Sequence, residues 1–290
     1  MILIDYSQVA LANILSFKTE LTKGTEGEIK NLIRHCVLSS LKFYKKKYYK
    51  EYGELVICCD GKKYWRKDFF PNYKASRKKA REESDLDWKL IFDTMSEIRD
   101  DLKENFPYKV MHIDTAEADD IIAVLTKSTQ EFGCHEEVMI VSSDKDFKQL
   151  HKYDNVRQYS PIQKKQVTIA AREIHPFTVE HVVRGDSGDG IPNILSTDDI
   201  FLVEGRQTPV SKKRLQEFID NGFDACKNDV ERRNWHRNTT LVNFDFIPEQ
   251  VSTEILDSYR LNNVKGDKMS IMKYLMDHRC RMLLDELEDF

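Results

Sequence analysis

Four short apolar runs, separated by long helix-forming stretches, constrain this chain more than any other feature. They are Ile2 to Asp5, Leu55 to Cys59, Tyr108 to Ile113 and Glu137 to Val141. Between the first two, Glu28 to Lys50 places Ile29, Leu32, Ile33, Cys36, Val37 and Leu41 on one face at helical spacing. Ser84 is an expected N-cap for a helix whose stripe is Trp88, Ile91, Phe92, Met95, Ile98 and Leu102. A further helix is expected from about Glu117 to Phe132, and a hairpin or edge pair near Val156 to Tyr159 and Gln166 to Ile169. Strands alternating with helices predict an α/β fold with a mainly parallel central sheet and helices on both faces.

In such a sheet the carboxyl ends of the strands form one shared crevice. Nine acids sit at those ends or just beyond them: Asp5, Asp60, Glu117, Asp119, Asp120, Asp144, Asp146, Asp186 and Asp189. Two carboxylates about 5 Å apart repel by roughly 3 kcal/mol at an effective dielectric near 20. A cluster of this kind calls for divalent cations, so a two-metal phosphodiesterase site is the first expectation. Taken singly the signals are weak, because an Asp after a strand is often only a turn former or cap. Glu117-Ala-Asp119-Asp120 is stronger, since three acids in four exceed what a helix start needs. Asp144 and Asp146 are spaced to aim at one ion from a tight loop, and Gly185-Asp186-Ser-Gly-Asp189-Gly is a turn with acids three apart.

With 290 residues the chain can bury one large core, or one core with a smaller appended domain. No apolar run approaches membrane-spanning length, and the first residues lack a signal peptide's basic head, so a soluble cytoplasmic protein is expected. The six cysteines form no CxxC pair; Cys58 and Cys59 are expected to be small hydrophobes in a buried strand. None of the eight histidines falls in a motif, and His112 and His151 are expected to be packing or surface residues. The net charge of −4 hides segregation: Lys62 to Arg81 holds nine Lys or Arg and only one acid, Asp68. Lys42, Lys45, Lys46, Lys47 and Lys50 precede it on a helix. Aromatics (Tyr64, Trp65, Phe69, Phe70, Tyr73) alternate with the cations, the composition that holds single strands by charge and base stacking. Strand signals vanish after about Pro176. The expected organisation is an α/β domain over 1–176, including a basic arch at about 62–84, and a mostly helical duplex-binding domain over 177–290.

The order of these motifs resembles the 5′-nuclease family: flap endonucleases, the 5′-nuclease domain of bacterial DNA polymerase I and phage 5′ to 3′ exonucleases. The resemblance covers nearly the whole chain. It is carried by Leu3-Ile-Asp5-Tyr-Ser, Cys59-Asp60, Tyr64-Trp65-Arg66, Tyr73-Lys74-Ala-Ser-Arg77, Glu117-Ala-Asp-Asp120 and Ser142-Ser-Asp-Lys-Asp146-Phe. Leu150-His-Lys-Tyr and Val203-Glu-Gly-Arg-Gln-Thr-Pro209 are similar to the phage branch. The resemblance implies a PIN-like 5′-nuclease fold and two Mg²⁺ ions, with Mn²⁺ as a substitute. Asp5, Asp60, Glu117 and Asp119 would serve the first ion and Asp144, Asp146 and Asp186 the second, with Asp120 and Asp189 acting mainly through water. Lys74 and Arg77 would be the catalytic cations, Tyr73 would stack on a base, and Arg66 would contact phosphate. Arg206, Lys212, Lys213 and Arg214 would grip duplex backbone.

The family's Gly-rich hairpin after the Gly-Asp turn is replaced by Asn193-Ile-Leu-Ser-Thr, so a potassium site there is in doubt. The implied substrates are branched or nicked DNA and RNA–DNA hybrids with a 5′ end or flap. The implied role is primer removal by a monomer, with a phage single-strand binding protein and a sliding clamp as partners. A PIN-type ribonuclease for single-stranded RNA and a non-catalytic junction-binding protein remain alternatives.

Overall fold

The computed structural model describes residues 1–290 apart from Ala80. Six strands form one sheet: β1 (Ile2–Asp5), β2 (Leu55–Cys59), β3 (Lys109–His112), β4 (Val138–Val141), β5 (Val156–Ser160) and β6 (Lys165–Val167). Their order is β3-β2-β1-β4-β5-β6, and only the β5–β6 pairing is antiparallel. The mainly parallel sheet expected from the sequence is therefore present, and the edge pair is a short hairpin. The chain runs outward from β1 through β2 to β3, then returns to β4 on the other side of β1. That reversal makes a topological switch point between β1 and β4, where a crevice opens beyond the strand ends.

The N-terminal helices are α1 (Tyr6–Ile14), α2 (Lys18–Lys23), α3 (Glu26–Tyr52), α4 (Trp65–Phe69), α5 (Ser76–Glu82), α6 (Trp88–Asn105) and α7 (Ala118–Ser128). The C-terminal ones are α8 (Ala171–Arg184), α9 (Lys212–Asn221), α10 (Asp229–Val242), α11 (Glu249–Leu261), α12 (Lys268–Asp277) and α13 (Arg281–Leu284). Helix α3 starts earlier than its apolar stripe because Thr25 and Glu28 close a reciprocal capping box. The expected cap at Ser84 is displaced: Asp87 accepts from the Leu90 amide and starts α6, while Ser84 accepts from Leu86 in the turn before it.

Alternation along the strands divides the core in two. Ile2, Ile4, Ile57, Val110, Met139 and Val141 face α1, α3 and α6. Leu3, Val56, Cys58, Met111, Val138 and Ile140 face α7 and α11. Cys58 and Cys59 thus sit on opposite faces, both buried and both free. The α8 helix runs straight through Pro176, the position expected to separate two domains. A separate small core forms around Val183, Ile194, Leu215 and Phe218. The chain then returns, and Ile271, Tyr274, Leu275 and Leu283 of α12 and α13 pack into the first core. No helix among the described residues is long and apolar enough to cross a membrane.

Candidate active site

The strand ends place the first carboxylates by short-range geometry. Asp5 ends β1 and caps α1, accepting from the Gln8 amide at 3.1 Å and from the buried Ser142 hydroxyl at 2.8 Å. Asp60 follows β2 and accepts from Ser7 at 2.9 Å and from the Ala118 amide at 3.0 Å. The next residue must be glycine: a Cβ on Gly61 would come within 2.2 Å of the Ile113 carbonyl oxygen. Asp144 follows β4 and accepts from the Asp146 amide at 2.9 Å. Gln158, on neighbouring β5, donates to the carbonyls of Ser142 and Asp144 at 2.9 and 2.7 Å, holding that loop.

Glu117 is the N-cap of α7 and is buried. Its carboxylate accepts from Arg66 and the Tyr73 hydroxyl at 3.0 Å each, and from Lys74 Nζ at 2.5 Å. The turn Gly185–Ile191 supplies the remaining acids. Gly185 takes a left-handed φ of 66°, and a Cβ there would meet the Ile191 carbonyl oxygen at 2.3 Å. Asp186 accepts from the Gly188 amide at 2.9 Å and Lys145 at 2.8 Å. Asp189 accepts from the Tyr73 hydroxyl at 3.0 Å and pairs with Arg77.

The charge problem foreseen in the sequence is physically present. Burial, followed by the charges of Asp60 and Asp144, pushes Asp5 up to about 7. Burial and Asp144 push Asp146 up to about 7 as well. Asp119 is raised well above the carboxylate range by burial and by Asp144 and Asp5. These acids meet at the switch point and resist full ionisation together. A donor set of buried carboxylate oxygens with unmet charge fits divalent cations of the magnesium type. Asp146 Oδ1 in particular is buried without a hydrogen-bond partner.

Lys74 adopts a left-handed φ of 57°, uncommon for a side-chain-bearing residue. Its amide donates to the Asp189 carbonyl at 2.7 Å, which holds the ammonium toward Glu117. Alongside lies a cleft of about 500 Å³ whose lining includes Asp60, Lys62, Lys67, Lys74, Arg77, Arg81 and Arg99.

Several sequence-based assignments change. Arg66 is 3% exposed and pairs with Glu117 at 3.0 Å and Asp120 at 2.7 Å, so it is a buried brace and not a phosphate contact. Asp120 is fully buried against Arg66, Trp65 and the Glu117 amide, so at rest its carboxylate serves as the counter-charge of the Arg66 brace. Tyr73 is 3% exposed and its ring packs with Phe70, Ile191 and Leu241, so it positions carboxylates and cannot stack on a base. Arg214 is occupied by Glu217 and Glu231, whereas Arg206, Lys212 and Lys213 are exposed. One residue was missed. His181 of α8 is buried between Asp146 and Asp186, with a ring nitrogen 3.1 Å from each. Its position in the last turn of α8, five residues before Asp186 in the turn that follows, was the only signal in the sequence.

Carboxylates gathered at the switch point of a parallel sheet, faced by two cations, define a phosphodiester-cleaving hydrolase. The comparisons with known proteins narrow that class. Residues 1–180 match the family model of the 5′-3′ exonuclease N-terminal resolvase-like domain, and residues 173–290 match that of the T4 RNase H C-terminal domain. The chain is 39% identical to ribonuclease H of Enterobacteria phage T4 over 99% of its own length and 95% of that protein's. It is 32% identical to flap endonuclease Xni of Shewanella sp. (strain MR-4), over 45% of this chain and 48% of the relative. Among solved structures, the bacteriophage T5 flap endonuclease in complex with DNA and metal ions aligns with a TM-score of 0.60 at 17% identity, over 89% of this chain and 98% of that one. The zinc-bound T5 5′-exonuclease has the same score and identity over 90% and 98%. The chain belongs to the 5′-3′ exonuclease family, and within it to the branch that carries the ribonuclease H C-terminal domain. It is a nuclease with the 5′ to 3′ exonuclease, flap endonuclease and ribonuclease H character of that branch.

Proposed function

We propose that this chain uses two Mg²⁺ ions, replaceable by Mn²⁺, to remove RNA primers and adjacent DNA from lagging-strand fragments during phage replication. The observation that carries this reading is the meeting of an electrostatically frustrated carboxylate cluster with a cation-lined cleft. Asp5, Asp60, Glu117 and Asp119 would hold one ion, and Asp144, Asp146 and Asp186 the other. When bound, such ions lower the pKa of a water and neutralise the attacking and leaving oxygens of an in-line displacement. Lys74 and Arg77, which neutralise Glu117 and Asp189 at rest, are the cations available to a phosphodiester entering the crevice. A fixed cation stabilises the charge that develops on the phosphoryl oxygens. Tyr73 and Arg66 keep Glu117 oriented from beneath. Arg81, Lys67 and Lys62 line the cleft and attract the backbone of a single strand without reading its sequence. Arg206, Lys212 and Lys213 are the exposed cations of the C-terminal part that suit duplex backbone. The reading also includes a monomer in the host cytoplasm and contacts with a phage single-strand binding protein and sliding clamp. Cleavage of a 5′-labelled flap and of an RNA–DNA hybrid, with and without Mg²⁺, tests it. Full activity in EDTA refutes the metal requirement.

A further inference from the structure

We infer that His181 supplies a nitrogen ligand to the second metal position, so that this position favours Mn²⁺, Co²⁺ or Zn²⁺ over Mg²⁺. The inference rests on the nuclease reading above and adds a donor atom of a different kind to its all-oxygen set. His181 is 5% exposed, and its ring lies beside Phe177. Nε2 is 3.1 Å from Asp186 Oδ2 in hydrogen-bonding geometry. Asp186 is itself held by Lys145 and by the Gly188 amide. A carboxylate that takes the proton of one ring nitrogen fixes the tautomer and leaves the other nitrogen with a lone pair, the arrangement common behind metal-bound histidines.

That other nitrogen, Nδ1, faces Asp146 Oδ1 at 3.1 Å. Neither atom has a hydrogen-bond partner, and both are buried. In the ion-free protein a proton can offset these two buried acceptors, and on its loss the compensating charge falls to a cation. The spacing suits one. Adjacent ligands on an octahedral ion with bonds of about 2.1 Å are about 3.0 Å apart, and about 3.4 Å apart on a tetrahedral one. Asp146, His181 and Asp186 each offer a ligand atom within 4.8 Å of the others. Imidazole nitrogen suits the later first-row ions, whereas Mg²⁺ is served by oxygen. Nitrogen at this position therefore shifts metal preference without altering the carboxylates around it.

Electron spin-echo spectroscopy of Mn²⁺ bound to the full chain tests the assignment directly. The expected result is ¹⁴N modulation that changes to the ¹⁵N pattern on ¹⁵N-histidine labelling, which needs no variant, and that disappears in His181→Ala. Absent nitrogen modulation in the wild type, or modulation that survives in His181→Ala, overturns it. Calorimetric titration gives the second readout. His181→Ala should weaken the tighter Mn²⁺ site by about tenfold or more while Mg²⁺ affinity changes less than threefold; equal losses for both ions overturn the metal preference. Flap cleavage by the wild type separates this inference from the function it rests on. Cleavage without nitrogen coupling defeats the ligand assignment alone, and nitrogen coupling without cleavage in any metal defeats the nuclease reading alone.

Discussion

Arg66→Ala separates the two roles that this arginine could play. The family resemblance implies a phosphate contact, and the structure places a brace. Its side chain is 4% exposed, and one terminal nitrogen lies 3.0 Å from Glu117 and 2.7 Å from Asp120. Its Nε donates to the Leu241 carbonyl at 3.0 Å, which ties α4 to α10. Burial opposes the guanidinium's charge, and Asp120 and Glu117 more than restore it, so its pKa is raised. Removing one partner of a buried pair leaves the other charge uncompensated and costs about 3–5 kcal/mol. A chain of 290 residues has an unfolding entropy of about 0.6 kcal/mol/K, so the melting temperature should fall by about 5–8 °C. The assay is thermal unfolding in EDTA, paired with duplex and flap binding well below the melting temperature. Binding should stay within about twofold of wild type, and cleavage should fall because Glu117 loses a donor. Adding Asp120→Leu to Arg66→Met should recover much of the lost stability, since an apolar pair can replace a buried ionic one. A variant that melts within 1 °C of wild type but binds DNA poorly would refute the reasoning.

The other predictions concern charge in the crevice. Asp146→Asn should abolish cleavage in Mg²⁺ yet leave DNA affinity in EDTA nearly intact; measurable turnover at the wild-type rate counts against Asp146 as a ligand. Lys74→Ala should slow single-turnover cleavage by roughly 10²–10³, as for loss of one fixed transition-state donor, and should also lower the melting temperature because buried Glu117 loses a partner; an unchanged rate well below that temperature removes Lys74 from the chemistry. The pH dependence of the ion-free protein has a definite sign. Asp5 and Asp146 are raised from near 4 to about 7 in the folded state, so folding favours their protonated forms. That contribution is present at low pH and is lost as pH rises from about 4 through about 7. His181, also raised, acts in the same direction. Melting in EDTA should therefore be lower at pH 8 than at pH 5.5. Saturating Mg²⁺ should reverse the trend, because ion binding requires ionised carboxylates. Parallel pH profiles with and without the ion would contradict the placement of these acids in the metal site.

The sequence and the structure agree where the controlling interactions are local. Apolar runs of four to six residues flanked by amphipathic helices left little choice but a parallel sheet, and all four of those runs are strands. The acids at their ends were legible because strand-end geometry is set within a residue or two of each side chain. Helix caps were less legible: Ser84 and Asp87 are both competent, and packing of Leu86 and Ile91 into the first core goes with Asp87. Helix α1 was invisible because it is only nine residues long and its apolar pattern is weak.

What the sequence determined by itself was the sheet, its crevice and the need for cations there. Which charged side chains face that crevice was decided only in three dimensions. Arg66 and Arg77 look alike in a basic stretch, yet one is sealed beneath Glu117 and the other borders the cleft. Asp119 and Asp120 are neighbours on α7, and the helical turn of about 100° per residue sends one toward Asp5 and Asp144 and the other under Arg66. Tyr73 became a strut because Ile191 and Leu241, more than a hundred residues away, cover its ring. His181 acquired a role only because α8 runs unbroken past Pro176 and ends at Gly185, which brings the ring between two acids from different loops. Periodicity records which way a residue faces relative to its own element; what it meets depends on elements distant in the chain, and those contacts follow from the packed whole.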